Sequence, residues 1–172
     1  MRRLILFRHA KTEAQAQSGQ DFDRRLTERG HSDAALMARL LADQGLSPDK
    51  VLVSAAARAQ ETWAAMSAAF PKAEAETQAR LYLAPAEVLI QAAEDEVEAD
   101  TVLILAHNPG LHDAALRLSR GARSVGPSRR KLEEGLPTAT AAVFGIDAEG
   151  DGAAATLEAV LRPSDHGGGA RK

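Results

Sequence analysis

The sequence has no cysteine among its 172 residues and no long hydrophobic run. The lack of cysteine excludes disulfide bonds, thiolate zinc sites and a cysteine nucleophile, and it is compatible with a reducing cytoplasm. The first apolar run, at residues 4–7, is too short for a signal-peptide core, and no segment approaches the roughly 20 apolar residues of a membrane-spanning helix. The formal net charge of −3 provides no field that attracts nucleic acid or membranes. We therefore expect a cytoplasmic protein with neither nucleic acid nor a membrane as partner.

The composition is that of an ordinary soluble domain, with 45% hydrophobic and 26% charged residues. A chain of this length favours one domain with a single hydrophobic core. We expect that domain to occupy residues 1–162. Residues 163–172 include three consecutive glycines, which predicts a flexible C-terminal tail.

Short apolar runs alternate with helical patterns along the chain. The runs predict buried strands at residues 4–7, 51–53 and 101–106. Helices are predicted at residues 28–44, 55–70 and 85–97 and from residue 109, with Thr27 and Asn108 as N-caps and Gly45 as a stop. A loop is predicted at 119–137, and two further strands at 138–146 and 154–161. This order predicts an α/β fold, a three-layer sandwich whose central sheet is mostly parallel, with helices on both faces and an antiparallel edge near the C-terminus.

Polar side chains follow each of the first three predicted strands. In open parallel sheets, ligands bind beyond the carboxyl ends of the strands, so these side chains are expected at one site. They are Arg8 and His9 after the first strand, Ser54 and Arg58 after the second, and His107 and Asn108 after the third. On a regular strand Arg8 and His9 would point to opposite faces, so they share a site only if the strand ends there.

This set of residues favours phosphoryl transfer. A guanidinium matches phosphate oxygens two at a time and stays charged, so Arg8 and Arg58 would offset most of the phosphate charge. A histidine can attack phosphorus in line and form a covalent phospho-enzyme. Nearby cations keep such a ring neutral, and a second histidine can stabilise the transferring group. Ser54 is interpreted as a strand-end cap, and Lys11 either reaches the phosphate or is solvated.

Several segments match the motifs of one family in order. Residues 6–11, Leu-Phe-Arg-His-Ala-Lys, resemble the Arg-His-Gly-type signature of the histidine phosphatase superfamily, the phosphoglycerate-mutase-like enzymes. Residues 54–62 resemble its second motif, a serine, an arginine four residues on, and then Ala-x-Glu-Thr. Residues 107–110, His-Asn-Pro-Gly, resemble its third. The Leu-Thr-x-x-Gly segment at 26–30 and the Pro-Thr pair at 137–138 are also similar, so the resemblance extends from residue 2 to about residue 162.

The resemblance implies a function and a set of site residues. It implies that His9 is the nucleophile that becomes phosphorylated, and that Arg8, Arg58 and His107 form the rest of the phosphate pocket. Asn108 is a further candidate for phosphate binding. Neither a cofactor nor a metal is implied. The chain is most similar to the small SixA-type phosphohistidine phosphatases, which implies a phosphatase that acts on phosphohistidine in a signalling protein.

Two departures from the family pattern bear on the substrate. Ala10 stands where many relatives have glycine, and Tyr82 stands near the place of a glutamate acid in mutases and many phosphomonoesterases. Glu87 is close, but nothing in the sequence favours it as that acid. An alkoxide leaving group needs a proton from a positioned acid, whereas a protonated phosphoimidazole leaves as neutral imidazole. The missing acid, and the short stretch between Arg58 and His107, therefore favour an open site for phosphohistidine on a protein.

Other interpretations remain open at this point. The chain could be a general phosphomonoesterase that acts on a small phosphate ester, or a non-catalytic module that binds phosphoproteins. A metal hydrolase built on His9, His107 and His112 lacks any known ligand spacing. Glu61 either pairs on a helix surface or orients Arg58, and the basic stretch 117–131 is either a solvated loop or a docking surface for an acidic partner. The sequence does not indicate an oligomeric state.

Overall fold

The computed structural model describes residues 1–120, 126–147 and 154–169. Within them, six strands form one sheet in the order β3-β2-β4-β1-β5-β6. Strands β1 to β4 are mutually parallel, and β5 and β6 run antiparallel at one edge. The strands are β1 (Arg3–Arg8), β2 (Lys50–Ser54), β3 (Glu74–Gln78), β4 (Thr101–Ala106), β5 (Ala141–Asp147) and β6 (Ala154–Leu161). The helices are α1 (Glu28–Asp43), α2 (Ala57–Met66), α3 (Ala86–Glu94), α4 (Gly110–Leu118) and α5 (Pro127–Glu134).

The central strands bury both of their faces. In β1, Leu4 and Leu6 belong to one apolar cluster while Ile5 and Phe7 belong to the other, as the two-residue period of a strand requires. The first cluster includes side chains of α3, α4 and α5, and the second includes side chains of α1 and α2. The helices therefore cover both faces of the sheet, and the predicted three-layer α/β sandwich with an antiparallel edge is confirmed.

Three local predictions differ from the structure. Strand β3 was not predicted, because its sequence Glu-Ala-Glu-Thr-Gln is polar and lies mostly exposed at the sheet edge. The predicted loop at 119–137 contains helix α5, which Pro127 begins and whose Leu132 packs in the core. Asn108 does not cap α4: its amide nitrogen donates to the Leu136 carbonyl at 2.9 Å instead. Thr27 does cap α1, since its hydroxyl accepts from the Gly30 N–H at 3.0 Å.

The described part of the C-terminal segment is packed against the domain. Pro163–His166 forms a 3₁₀ helix, and the Gly169 N–H donates to Asp33 Oδ1 at 2.9 Å on α1. Lys131 on α5 forms an ion pair with Asp165 at 2.6 Å. The flexible tail predicted at residues 163–172 therefore includes residues that contact the domain, and residues 170–172 lie outside the described residues. Among the described helices, none combines the length and apolar character that crossing a membrane requires.

Helix α4 begins at a position that only glycine can occupy without displacing its neighbours. A Cβ added to Gly110 would lie 1.8 Å from the Ala84 carbonyl oxygen and 3.0 Å from the Ala84 carbonyl carbon. Both are backbone atoms of the turn before α3, so they cannot move aside as the end of a side chain would. This close approach holds the segment that carries Tyr82 and Leu83 against the start of α4.

We expect Gly110→Ala to lower the free energy of unfolding by about 3 kcal/mol, because it overpacks a backbone contact. Gly45→Ala is the matched control. Gly45 has φ +71°, and no atom lies within 4 Å of the place that an alanine methyl group would take there. We therefore expect Gly45→Ala to lower the free energy of unfolding by only about 1 kcal/mol, through backbone strain. Urea unfolding of both variants measures the difference. A loss at residue 110 no larger than the loss at residue 45 would contradict the close-approach argument.

Candidate active site

The carboxyl ends of β1, β2 and β4 meet at one edge of the sheet and surround a cavity of about 270 Å³. The predicted site residues Arg8, His9, Arg58, His107 and Asn108 all line this cavity. Its other described lining residues are Lys11, Thr12, Asp21, Arg24, Leu83 and Thr138. The three strand ends therefore bring together the side chains that the sequence predicts at one site.

The end of β1 explains how two consecutive side chains reach the same cavity. The strand ends at Arg8, and His9 is the first residue after it. Its N–H donates to the Ala106 carbonyl at 3.2 Å, while the Ala139 N–H lies 3.0 Å from the Arg8 carbonyl and 3.1 Å from the His9 carbonyl. Ala139 is buried at φ +56°, an uncommon conformation for a residue with a side chain. Both Arg8 and His9 line the cavity, which lies beyond the end of β1 rather than over one face of the sheet.

The ring of His9 is held in one tautomer. His9 is 7% exposed, and its Nδ1 lies 2.8 Å from the Ala10 carbonyl oxygen. A carbonyl only accepts hydrogen bonds, so Nδ1 carries the proton and Nε2 keeps its lone pair. Burial lowers the pKa of His9 to about 4, and the nearby cations Arg58 and Arg8 act in the same direction. The ring is therefore neutral near pH 7, with an unprotonated nitrogen at the cavity.

Thr62 connects the first two sequence motifs. Its hydroxyl accepts from the Ala10 N–H at 3.0 Å and donates to the Arg58 carbonyl at 2.7 Å. Thr62 is fully buried, so neither bond competes with water. The threonine of the Ala-x-Glu-Thr segment thus fixes the backbone that holds His9 relative to the backbone that holds Arg58.

His107 is oriented by the serine at the end of β2. Its Nε2 lies 2.7 Å from Ser54 Oγ, and both residues are buried. Ser54 Oγ accepts a long bond from the Ala56 N–H at 3.4 Å. Among the described residues the hydroxyl proton has no hydrogen-bond acceptor other than His107 Nε2, so we assign that proton to this nitrogen. The proton of the neutral ring then lies on Nδ1, which is buried without a hydrogen-bond partner. Burial, followed by the charges of His9 and Arg58, lowers the pKa of His107 to about 3.

Both arginines keep unpartnered donors beside the cavity. Arg8 donates through one terminal nitrogen to the Leu136 carbonyl at 3.0 Å. Arg58, 3% exposed, donates to the Asp21 carbonyl at 2.7 Å and to Asp21 Oδ2 at 3.0 Å. The Nε atoms of both arginines are buried without a partner. Because buried donors are normally satisfied, these N–H groups and His107 Nδ1 indicate an acceptor-rich ligand such as an oxyanion.

Asp21 is a site residue that sequence reasoning missed. It lies on a short 3₁₀ helix, Asp21–Asp23, and its Oδ2 accepts from Tyr82 Oη at 2.6 Å as well as from Arg58. Its Oδ1 accepts from Arg24 at 3.1 Å. The Tyr82 hydroxyl and the two arginines hold the pKa of the Asp21 carboxyl well below its usual range. No motif or periodicity marks residues 13–25, so the sequence contained no signal for this contact.

The Tyr82 ring packs behind residues that line the cavity. It packs edge-on against His107, with ring centroids 5.5 Å apart, and its centroid lies 5.8 Å from the Arg58 guanidinium carbon. The hydrogen bond to Asp21 raises the pKa of Tyr82, so the hydroxyl remains protonated. Tyr82 therefore lies beside the site, where the family motif places a glutamate acid in many relatives. Its hydroxyl donates a hydrogen bond to Asp21.

Other candidate residues have different contacts. Glu61 does not orient Arg58: it accepts from Arg25 at 2.9 Å and from the Leu26 N–H at 2.7 Å. Glu87 pairs with Arg117 at 3.2 Å, and His112 bonds to the Leu132 carbonyl at 2.7 Å. Lys11 lies at the cavity but is exposed.

Two alternatives that the sequence leaves open, a metal hydrolase and a basic docking surface, can be compared with the structure. Among residues 1–120, 126–147 and 154–169, no group of three or more histidine or carboxylate side chains could hold a metal ion. In the basic stretch 117–131, three of the described cations form ion pairs: Arg117 with Glu87, Arg129 with Glu133 at 2.8 Å, and Lys131 with Asp165. Residues 121–125, which include Arg123, lie outside the described residues.

Comparisons with known proteins give the same family as the motifs that carry the site residues. The family model of the histidine phosphatase superfamily, branch 1, matches residues 4–82. An uncharacterized chloroplastic protein of Arabidopsis thaliana is 31% identical over 132 residues, which cover 69% of this chain and 59% of that protein. An uncharacterized protein of Mycobacterium leprae is 33% identical over 129 residues, which cover 73% of this chain and 76% of that protein.

A solved structure extends the likeness to the whole fold. The crystal structure of a candidate phosphohistidine phosphatase SixA from Agrobacterium tumefaciens superposes with a TM-score of 0.80 at 29% identity, covering 94% of this chain and 98% of that one. The predicted resemblance is thereby confirmed. The predicted enzyme class, a phosphatase, agrees with this family. The chain belongs to the histidine phosphatase superfamily and is a SixA-like member of it.

Proposed function

We propose that this protein is a phosphatase that removes phosphate from phosphohistidine on a protein through a covalent intermediate on His9. The observation that carries this proposal is the hydrogen bond between His9 Nδ1 and the Ala10 carbonyl. It leaves Nε2 as the unprotonated ring nitrogen at a cavity that both arginines line. A neutral imidazole beside two phosphate-binding guanidinium groups is the arrangement that nucleophilic attack on phosphorus requires.

In the first step, the Nε2 lone pair of His9 attacks phosphorus. The bond between phosphorus and the leaving nitrogen of the substrate breaks, and its electron pair returns to that nitrogen. The proton on His9 Nδ1 stays in place, and the Ala10 carbonyl stabilises the positive charge that develops on the ring. The products of this step are phosphorylated His9 and the dephosphorylated substrate.

The arginines and His107 act on the phosphoryl oxygens. The charge on these oxygens persists in the transition state, so fixed donors around them lower the barrier. Arg8 Nε, Arg58 Nε and His107 Nδ1 are the buried donors that have no protein partner. We assign them to the phosphoryl group. His107 donates as a neutral ring, because Ser54 occupies its other nitrogen.

In the second step, water attacks the phosphorus of phosphorylated His9. The bond from phosphorus to Nε2 breaks and its electron pair returns to Nε2, which restores the neutral ring. The two protons of water remain with the product, which leaves as dihydrogen phosphate or loses one proton to solvent. No metal or organic cofactor enters either step.

The absence of a positioned acid supports phosphohistidine as substrate. Asp21 is the one carboxylate among the described lining residues, and its depressed pKa keeps it ionised. Glu87 is paired with Arg117 outside the cavity lining. An alkoxide leaving group would need a proton that these residues do not supply, whereas a protonated phosphoimidazole leaves as a neutral ring. The likeness to a candidate phosphohistidine phosphatase points to the same substrate class.

We expect His9→Ala to lower kcat for an aryl phosphate by roughly 10³-fold or more, because it removes the nucleophile. His31→Ala is the matched control, since His31 is exposed on α1 and outside the cavity lining. Rapid acid-free quenching after mixing with radiolabelled substrate should trap label on the wild-type chain at His9. Full activity in His9→Ala would disprove the covalent mechanism.

The protonation of His9 can be followed directly by NMR. We expect the ring to titrate with a midpoint near 4 in buffer without phosphate, because burial and two arginines disfavour its charged form. The ring is then neutral throughout pH 6 to 8. Inorganic phosphate should move the midpoint upward, since an adjacent anion favours imidazolium. His9→Ala identifies the resonance, and a midpoint near the ordinary value of about 6.5 would contradict a buried, cation-flanked nucleophile.

A substrate panel tests the choice of leaving group. We expect kcat/KM for a phosphohistidine peptide to exceed the values for phosphoserine peptide and sugar phosphates by about 100-fold or more, the usual contribution of a general acid. Addition of a chelator should leave these values unchanged. A higher kcat/KM for a sugar phosphate would show a general phosphomonoesterase instead, and loss of activity with chelator would indicate a metal hydrolase.

A further inference from the structure

A carboxylate lies where the site is built to bind an anion. Asp21 is the one acidic side chain among the described residues that line the cavity, which the cations Arg8, Lys11, Arg24 and Arg58 also line. Fixed negative charge beside a bound phosphoryl group weakens binding of that group through like-charge repulsion. The placement therefore carries a cost for phosphate binding that some other contact must offset.

The protein holds this carboxylate firmly at the cavity. Three donors contact it: Tyr82 Oη at 2.6 Å, Arg58 at 3.0 Å and Arg24 at 3.1 Å. The side chain nevertheless remains 45% exposed. Because an ionised carboxylate has about four acceptor positions, one position stays free for a donor that arrives from solvent.

We propose that Asp21 determines substrate specificity by accepting a hydrogen bond from the protonated leaving imidazole of phosphohistidine. The inference rests on the proposed function and assigns a role to a residue that the reaction described above does not use. A phosphohistidine carries phosphorus on one ring nitrogen and a proton on the other. Phosphate esters of serine or of a sugar have no such donor, and their leaving oxygen becomes negative.

The electron balance of the step shows why the contact favours one substrate. As His9 Nε2 bonds to phosphorus, the substrate P–N bond breaks and its electron pair returns to the substrate ring. That ring leaves neutral, with the proton still on its other nitrogen and still donated to Asp21. The same carboxylate opposes an ester, because the electron pair of the breaking P–O bond places negative charge near Asp21.

Arg58 sets the distance between the phosphoryl group and Asp21. Its terminal nitrogens contact Asp21 while its Nε has no partner. A phosphoryl group bound to the remaining N–H groups of Arg58 is thus separated from Asp21 by one guanidinium. Tyr82 is a positioning residue here, because its hydroxyl fixes Asp21 Oδ2 and its ring rests against His107.

The test compares a phosphohistidine peptide with p-nitrophenyl phosphate, whose phenolate leaves without a proton. We expect Asp21→Asn to lower the ratio of kcat/KM for the peptide to kcat/KM for the aryl phosphate by about tenfold, with the aryl phosphate value rising. Tyr82→Phe should lower the same ratio by about threefold. Asp23→Asn is the matched control and should leave the ratio unchanged. Asp23 lies two residues from Asp21, accepts a hydrogen bond from Ser18 Oγ at 2.7 Å and does not line the cavity.

Two results would overturn the assignment of Asp21. Equal losses for both substrates in Asp21→Asn would mean that Asp21 only orients Arg58, since Arg58 binds the phosphoryl group that the substrates share. An unchanged kcat/KM for each substrate in Asp21→Asn would mean that Asp21 contacts neither the leaving group nor any other part of the substrate. Failure of the proposed function has a different signature: wild-type protein would not turn over the phosphohistidine peptide, or His9→Ala would remain active.

Discussion

The parallel register between β1 and β4 is the constraint on which the site depends. Arg8 is paired with Ala106, so both strands end at the same level and each continues directly into a histidine. The His9 N–H then donates to the Ala106 carbonyl at 3.2 Å, and the ring centroids of His9 and His107 lie 5.1 Å apart. A shift of one residue in this register would separate the two rings and rotate one of them to the opposite face of the sheet.

Burial makes both histidines neutral, and their hydrogen-bond partners then make them different. A carbonyl oxygen occupies Nδ1 of His9, which therefore presents a lone pair. A serine hydroxyl occupies Nε2 of His107, which therefore presents an N–H group. The same side-chain type supplies an electron donor and a proton donor within one cavity, and the difference comes from one backbone atom and one hydroxyl outside the rings. Residues such as Ser54 and Ala10 are thus part of the chemistry although the substrate need not contact them.

The layered fold and the cluster of Arg8, His9, Arg58 and His107 could be predicted from the sequence, because apolar runs and the residues that directly follow them report on strand ends. Contacts that depend on loop paths could not. Asp21 reaches Arg58 across 37 positions, and Leu136 provides one carbonyl for both Arg8 and Asn108. Asn108 illustrates the limit: its type and position are typical of an N-cap, but the Leu136 carbonyl competes for the same amide. Strand β3 escaped prediction because an exposed edge strand needs no apolar pattern.

That edge strand also affects how the sheet can meet other chains. Strand β3 ends the sheet on one side, so its outer backbone groups could template an additional strand. Glu74 and Glu76 lie on it and share the single ammonium group of Lys50, at 2.7 and 3.3 Å. A second molecule that approached edge to edge would bring a second cluster of two carboxylates and one ammonium group beside the first, so that four carboxylates would share two cations. Electrostatic repulsion between these carboxylates thus disfavours the addition of further strands at the open edge of the sheet. The same polar residues are the reason that the sequence pattern does not predict β3.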